Sequence, residues 1–324
     1  MIELHVHLDG SLRPKTIWEL AAIQDGQPPA ADLAGLGTLM QAPVPCGSLS
    51  EYLSRFALPL KYLQTGAALE RVAFELTEDL AGEGVRYAEI RFAPQLSTER
   101  GLSQMEVTEA VAAGVKRGMA ALPGTKIGLL LCCMRGIDDS TSRANMETLK
   151  TAADCMADGE RDKIVCGVDL AGAEEVYDTG LFRSLFEEAD RYGLKRTIHA
   201  GEAAGPDSMW KALEMGALRI GHGIAAIQDE SLIKELVTRK TALEVCVTSN
   251  VQTKGVRSLK EHPVKKLYDA GVHVTLNTDN RTVSGTTLLK EIDLVKNTFG
   301  FTDEDIKRME GYAVEAAFLD TVPG

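Results

Sequence analysis

The sequence predicts an α/β chain folded as a (β/α)8 TIM-type barrel with a helical insertion after its first strand. Two observations lead there. Eight short runs recur along the chain, each stopped by a polar or glycine cluster, and helical patterns part the later ones by roughly one βαβ unit. The Gly-x-Gly-x-x-Gly fingerprint that would usually follow the first strand of an open doubly wound sheet is absent. With 324 residues, 44% of them hydrophobic, the chain can fill one large core, so a single domain over 1–324 is expected.

In the opening strand, Ile2, Leu4, Val6 and Leu8 alternate with Glu3, His5 and His7. That period of two sets both imidazoles on one face. Asp9-Gly10-Ser11 and Pro14 stop the strand, so the histidines fall at its carboxyl end, where such folds collect ligands. Residues 14–84 read as a polar, helical excursion. It holds a helix over 15–24, a breaker-rich stretch, and a helix opened by the capping-box spacing Ser48-Leu49-Ser50-Glu51. Pro59 is expected to kink or end that helix, and a third amphipathic helix covers 67–81.

The remaining strands are expected at 85–92, 126–134, 164–170, 197–199, 218–222, 243–247 and 272–277. Helices over 181–192, 208–215, 229–239 and 262–270 separate the later ones, the last closed by Gly271. The tail from Thr302 begins a helix with acids in its first turn, runs on through Phe318, and is assigned to packing.

Composition removes several classes of partner. Net charge is −12 with no basic run, which argues against binding a phosphate backbone. The six cysteines form no Cys-x-x-Cys pair, and four lie in apolar stretches, so free thiols in a reducing, cytoplasmic setting are expected. No signal peptide and no span of about 18 apolar residues is seen, so no membrane partner is expected. The sequence leaves the oligomeric state open.

The chemistry concentrates at strand ends. Of six histidines, His5, His7, His199 and His222 fall there, and Asp279 ends a fifth strand. Three imidazoles and a carboxylate suit zinc and leave room for water, although softness alone also allows iron, cobalt or manganese. Asp169-Leu170-Ala171-Gly172 holds no lysine to bridge a second metal. Cys46 lacks the second cysteine of the Pro-Cys-x-x-Cys deaminases. Glu89 and Arg91 share a strand face and read as a buried structural ion pair. His262 and His273 are placed away from the active rim as structural residues. Ser249 has no visible base partner, which speaks against a serine nucleophile.

Six motifs in order then carry a resemblance. Leu4-His5-Val6-His7-Leu8-Asp9-Gly10, Leu131-Cys132-Cys133-Met134-Arg135, Asp169-Leu170-Ala171-Gly172, His199-Ala200-Gly201-Glu202, Gly221-His222-Gly223 and Leu276-Asn277-Thr278-Asp279 together resemble the adenosine deaminase family. The likeness runs from His5 to Gly300-Phe301-Thr302.

The resemblance implies one zinc ion held by His5, His7, His199 and Asp279, with hydroxide attacking C6 of the purine. It implies Glu202 as the acid that protonates N1, and His222 as the group that steadies the attacking oxygen. Substrate contacts are implied for Gly172 at N3, for Asp9 at the ribose hydroxyls and for His7 beside them. Phe56 matches an aromatic gate, and 14–84 a helical lid. One departure stands out: Asn280 occupies the place of a second aspartate that meets purine N7, and its NH2 still donates. The expected partners are a purine nucleoside and water, with adenosine and 2′-deoxyadenosine as substrates in purine salvage.

Overall fold

Among the described residues eight parallel strands form, because runs such as Lys126–Met134 are apolar on both faces and need cover on both. They are β1 (Ile2–His7), β2 (Tyr87–Phe92), β3 (Lys126–Met134), β4 (Val165–Ala171), β5 (Thr197–Ala200), β6 (Arg219–His222), β7 (Ala242–Val245) and β8 (Val274–Leu276). The computed structural model describes residues 1–43, 45–157 and 164–319. Strands pair in the orders β1-β2-β3-β4 and β5-β6-β7-β8. Parallel bridges from Val168 to Arg196 and from Val6 to Asp279 join these two arcs. At the second seam His7 N–H donates to Asp279 O at 2.7 Å and Asp279 N–H to His5 O at 2.9 Å. Three of the metal-ligand candidates, His5, His7 and Asp279, thus sit on the seam that joins the last strand to the first, and His199 reaches them from β5.

Between β1 and β2 lie α1 (Pro14–Asp25), α2 (Leu33–Met40), α3 (Leu49–Leu53), α4 (Ala57–Tyr62) and α5 (Gly66–Gly82). This matches the expected helical excursion with two local differences. Ser48 caps α3 by accepting from Glu51 N–H at 3.1 Å. The Glu51 carboxylate reaches back one residue further than a capping box requires, to Gly47 N–H at 2.6 Å. Pro59 neither kinks nor ends a helix: the chain tightens into a 3-10 turn over Ser54–Phe56, and Pro59 falls in the first turn of α4. A first-turn N–H has no intrahelical partner, so proline loses nothing there.

The other helices are α6 (Gln104–Ala121), α7 (Asp139–Ala157), α8 (Arg183–Arg191), α9 (Pro206–Glu214), α10 (Glu230–Arg239), α11 (Val247–Gln252), α12 (Val264–Asp269), α13 (Arg281–Ser284), α14 (Leu288–Phe299) and α15 (Asp303–Ala316). β7 is shorter than its apolar run suggests, because Val247 already opens α11. That early turn brings Ser249 and Asn250 to the rim. α15 carries a reciprocal capping box between Thr302 and Asp305. Beyond it, Phe318 N–H donates to Glu89 at 2.6 Å and its ring lies 3.7 Å from the Arg219 guanidinium. The tail therefore packs against the amino-terminal end of the strands. Among the described residues no helix is long and apolar enough to cross a membrane.

Candidate active site

The carboxyl rim brings the predicted ligands together. One donor atom from each of His5, His7, His199 and Asp279 lies within 4.8 Å of the others. His7 Nε2 and His199 Nε2 face each other at 3.2 Å. Asp279 Oδ1 lies 3.3 Å from His5 Nε2 and 3.4 Å from His7 Nε2. His5 Nε2 is buried without a hydrogen-bond partner among the described residues. A buried ring nitrogen aimed at a cluster of other donors is what a cation would satisfy. Asp279 and His222 both adopt φ of 61°, a region that side chains other than glycine seldom enter. Such backbone strain at two strand ends fits a functional rim.

The far nitrogens of two rings are held by carboxylates. Glu244 Oε2 lies 2.9 Å from His5 Nδ1, and Asp169 Oδ2 lies 2.9 Å from His199 Nδ1. Arg91 ties these acids together, with Nη1 donating to Asp169 and Nη2 to Glu244, both at 2.8 Å. Burial alone would raise both acids. For Asp169, His199 and Arg91 outweigh it; for Glu244, Arg91 and Arg219 do, so both stay ionised. Carboxylates on the far nitrogen fix each ring's direction and raise its basicity as a ligand. Glu89 and Arg91 are fully buried, but they do not pair with each other. Glu89 binds Arg219, which also donates to Glu244 at 2.6 Å. The expected pair is a network along the strand interior, because alternate positions on one strand point the same way without touching.

Glu202 follows β5 and faces His222, with 3.5 Å between its Oε2 and His222 Nε2. Burial, aided by the charge of Asp279, pushes its carboxyl up to about 8. Burial pushes His222 down to about 4, so its ring is neutral. Glu174 holds this loop in place. Its carboxylate accepts from the N–H groups of Gly201, Glu202, Ala203 and Ala204 at 2.7, 3.0, 2.8 and 3.1 Å.

A cavity of about 230 Å³ opens beside these groups and is lined by His7, Asp9, Phe56, Gly172, His199, Glu202, His222, Asp279 and Asn280. The structure therefore brings every predicted site residue to one place, with His5 buried against the same cluster. Gly172 has φ of +110°, which excludes a side chain on backbone grounds. Asp9 Oδ1 and Asn280 Oδ1 are buried and lack hydrogen-bond partners among the described residues. Asn280 also explains Gly10, since a Cβ there would fall 1.8 Å from Asn280 Oδ1. Tyr52 and Phe56 from the insertion also line this cavity, with ring centroids 6.3 Å apart.

Some placements depart from the sequence reading. Ser249 does have a partner, as its hydroxyl donates to Asp279 Oδ2 at 2.6 Å and orients that carboxylate. His262 is not remote from the rim: its Nε2 lies 3.2 Å from Asn250 Oδ1, and Asn250 Nδ2 lies 3.0 Å from His222 Nδ1. His273 instead stacks on Tyr312 at 4.0 Å. Glu244, Glu174 and Asn250 have no place in the sequence reading, and Asp169 enters it only within a motif, without a role; Asp169 and Glu244 are nonetheless the two acids that pin ligand rings. The signal for those two was a lone acid inside an otherwise apolar strand, which burial punishes unless it is paired.

Barrel and rim together define a class, an α/β-barrel enzyme built around a candidate metal centre with a neutral buried acid beside it. The comparisons narrow the class to a family. The family model for adenosine deaminase matches residues 1–322. The adenosine deaminase of Haemophilus ducreyi is 42% identical over 319 residues, covering 98% of this chain and 92% of its own. The chain belongs to the adenosine deaminase family. Among solved structures, the adenine deaminase of Arthrobacter aurescens superposes with a TM-score of 0.86 at 25% identity, covering 98% of this chain and 94% of that one. The N6-mAMP deaminase of Arabidopsis gives 0.82 at 29% identity, covering 98% and 93%.

Proposed function

We propose that the protein hydrolyses adenosine, and 2′-deoxyadenosine, to inosine or 2′-deoxyinosine and ammonia, with one zinc ion held by His5, His7, His199 and Asp279. The donor set fits that ion: three imidazoles, two of them pinned at the far nitrogen, and one carboxylate. When bound, the cation lowers the pKa of its water to about 7 and makes hydroxide available at neutral pH.

Glu202 holds the proton that the purine needs. As oxygen adds at C6, Glu202 delivers its proton to N1. The new C6 hydroxyl then gives its proton to the exocyclic amino group, and the bond from C6 to that nitrogen breaks. Ammonia leaves as C6=O forms, and the first proton lost by water restores Glu202. His222, neutral in its buried site, directs a ring nitrogen toward Glu202 and the cavity, where it meets the incoming oxygen. The Gly172 N–H takes purine N3, Asp9 the ribose hydroxyls, and Asn280 donates its amide to N7. His7 borders the substrate as well as the metal. Phe56 acts as a gate, and residues 14–84 as a lid that excludes water and strengthens the electrostatics inside. The whole chain works as one domain. Its six free cysteines suit a reducing cytoplasm.

The observation that carries this reading is Glu202, an acid raised to about 8 in a cavity floored by three imidazoles and an aspartate. Ultraviolet monitoring of adenosine, 2′-deoxyadenosine, adenine and AMP, with and without chelator, tests it. Conversion of adenosine that chelator stops is expected. No conversion of any of them by metal-replete protein removes the function, and faster turnover of adenine or of N6-methyl-AMP moves the substrate to a sibling.

A further inference from the structure

We propose that His262, acting through Asn250, fixes the tautomer of His222 so that its one ring hydrogen sits on Nε2 and points into the pocket. The inference rests on the reading of His222 as a donor to the incoming oxygen and adds two positioning residues to it.

A backbone group sets the direction of the chain. Val264 N–H can only donate, and it lies 3.2 Å from His262 Nδ1. That nitrogen must therefore present its lone pair, so a neutral His262 carries its hydrogen on Nε2. Burial pushes His262 down to about 3, which keeps it neutral. Its Nε2–H then faces Asn250 at 3.2 Å and needs an acceptor there, so the amide oxygen turns to His262. The NH2 is left for His222 Nδ1 at 3.0 Å. With Nδ1 occupied as an acceptor, the His222 hydrogen can only be on Nε2, the nitrogen that faces Glu202.

All three side chains are buried, so no water competes for these bonds. Turning the amide over would set two N–H groups against each other at the His262 end, where Val264 leaves the ring no other tautomer. The early start of α11 places Asn250 in this gap, and the Phe299 ring, 6.2 Å away, packs beside His262. In the other tautomer, Nε2 would offer a lone pair to the incoming oxygen and the donor would be lost.

Nitrogen-15 NMR of histidine-labelled, zinc-loaded protein reads the tautomer directly, with His222→Asn identifying the signals. The expected spectrum shows His222 protonated at Nε2 and bare at Nδ1. Asn250→Asp offers an acceptor to Nδ1, so the hydrogen should move there and kcat should fall about 10²–10³-fold with KM little changed. His262→Gln, which keeps a donor, should retain the wild-type tautomer and most of kcat, whereas His262→Leu should lose both. A His222 protonated at Nδ1 in the wild type, or Asn250→Asp with wild-type kcat, overturns the inference. If adenosine is still deaminated in that case, the proposed function stands. If no purine is turned over, the function fails while the tautomer remains readable.

Discussion

Glu244 Oε2 lies 2.9 Å from His5 Nδ1, and neither side chain reaches solvent. The same oxygen accepts from Arg91 Nη2 at 2.8 Å, and the other carboxylate oxygen accepts from Arg219 Nε at 2.6 Å. One acid thus orients a metal-ligand candidate and bridges two buried guanidinium groups, whose charges it balances together with Asp169 and Glu89.

Replacing it as Glu244→Gln should weaken zinc binding about 10–100-fold, because His5 loses the partner that sets its ring. It should also cost about 3–5 kcal/mol of stability, because two buried cations each lose one of the two carboxylates that face them. Zinc titration and urea unfolding check the two effects separately. Zinc affinity equal to wild type would disconnect the buried pair from the centre.

Glu202→Gln should leave fold and metal content intact and lower kcat about 10²–10⁴-fold. The acid form of Glu202 is the working form, and its carboxyl is held at about 8. That form is full below this value and is lost as pH rises through it. A profile of kcat/KM for adenosine should therefore fall on the alkaline side near 8, and any activity left in the variant should lack that limb.

Asn280→Ala should lower kcat/KM by roughly ten- to a hundredfold, the worth of about 1–3 kcal/mol for a buried partner left unmet. Gly10→Ala should act in the same direction, since its new Cβ would fall 1.8 Å from Asn280 Oδ1. Steady-state kinetics on both variants test this, and an Asn280→Ala enzyme of undiminished efficiency would deny the residue any substrate role.

Exhaustive chelation should abolish deamination, and added zinc should restore it. Binding to the folded state alone adds about 4 kcal/mol at a thousandfold excess over Kd, so the unfolding midpoint should drop on chelation and recover with zinc. Scanning calorimetry reads this without reference to activity. A midpoint indifferent to metal would argue against His5, His7, His199 and Asp279 as its holders.

Much of the site was legible because strand ends announce themselves. His5, His7, His199, His222 and Asp279 each precede or join a glycine, proline or polar stop, and a parallel barrel sends such ends to one rim. Ser249 was less legible because its apolar run reads as strand up to Val247, whereas the chain turns helical at that residue. His262 looked remote because it sits 40 positions from His222, and only folding measures the gap between them. Glu89 and Arg91 shared a face as their period required, yet their charged partners came from other strands.

The sequence by itself determined the periodicity, the stops that end each strand, and the chemical types brought to the rim, since all of these follow from neighbours within a few residues. Only the tertiary structure decided which acid holds which imidazole and which side chain stands at each nitrogen of His222. Glu244 and His5 are 239 positions apart. A hydrogen bond between them depends on the register of neighbouring strands and on the seam between β8 and β1, to within a fraction of an ångström, and no local period carries that distance.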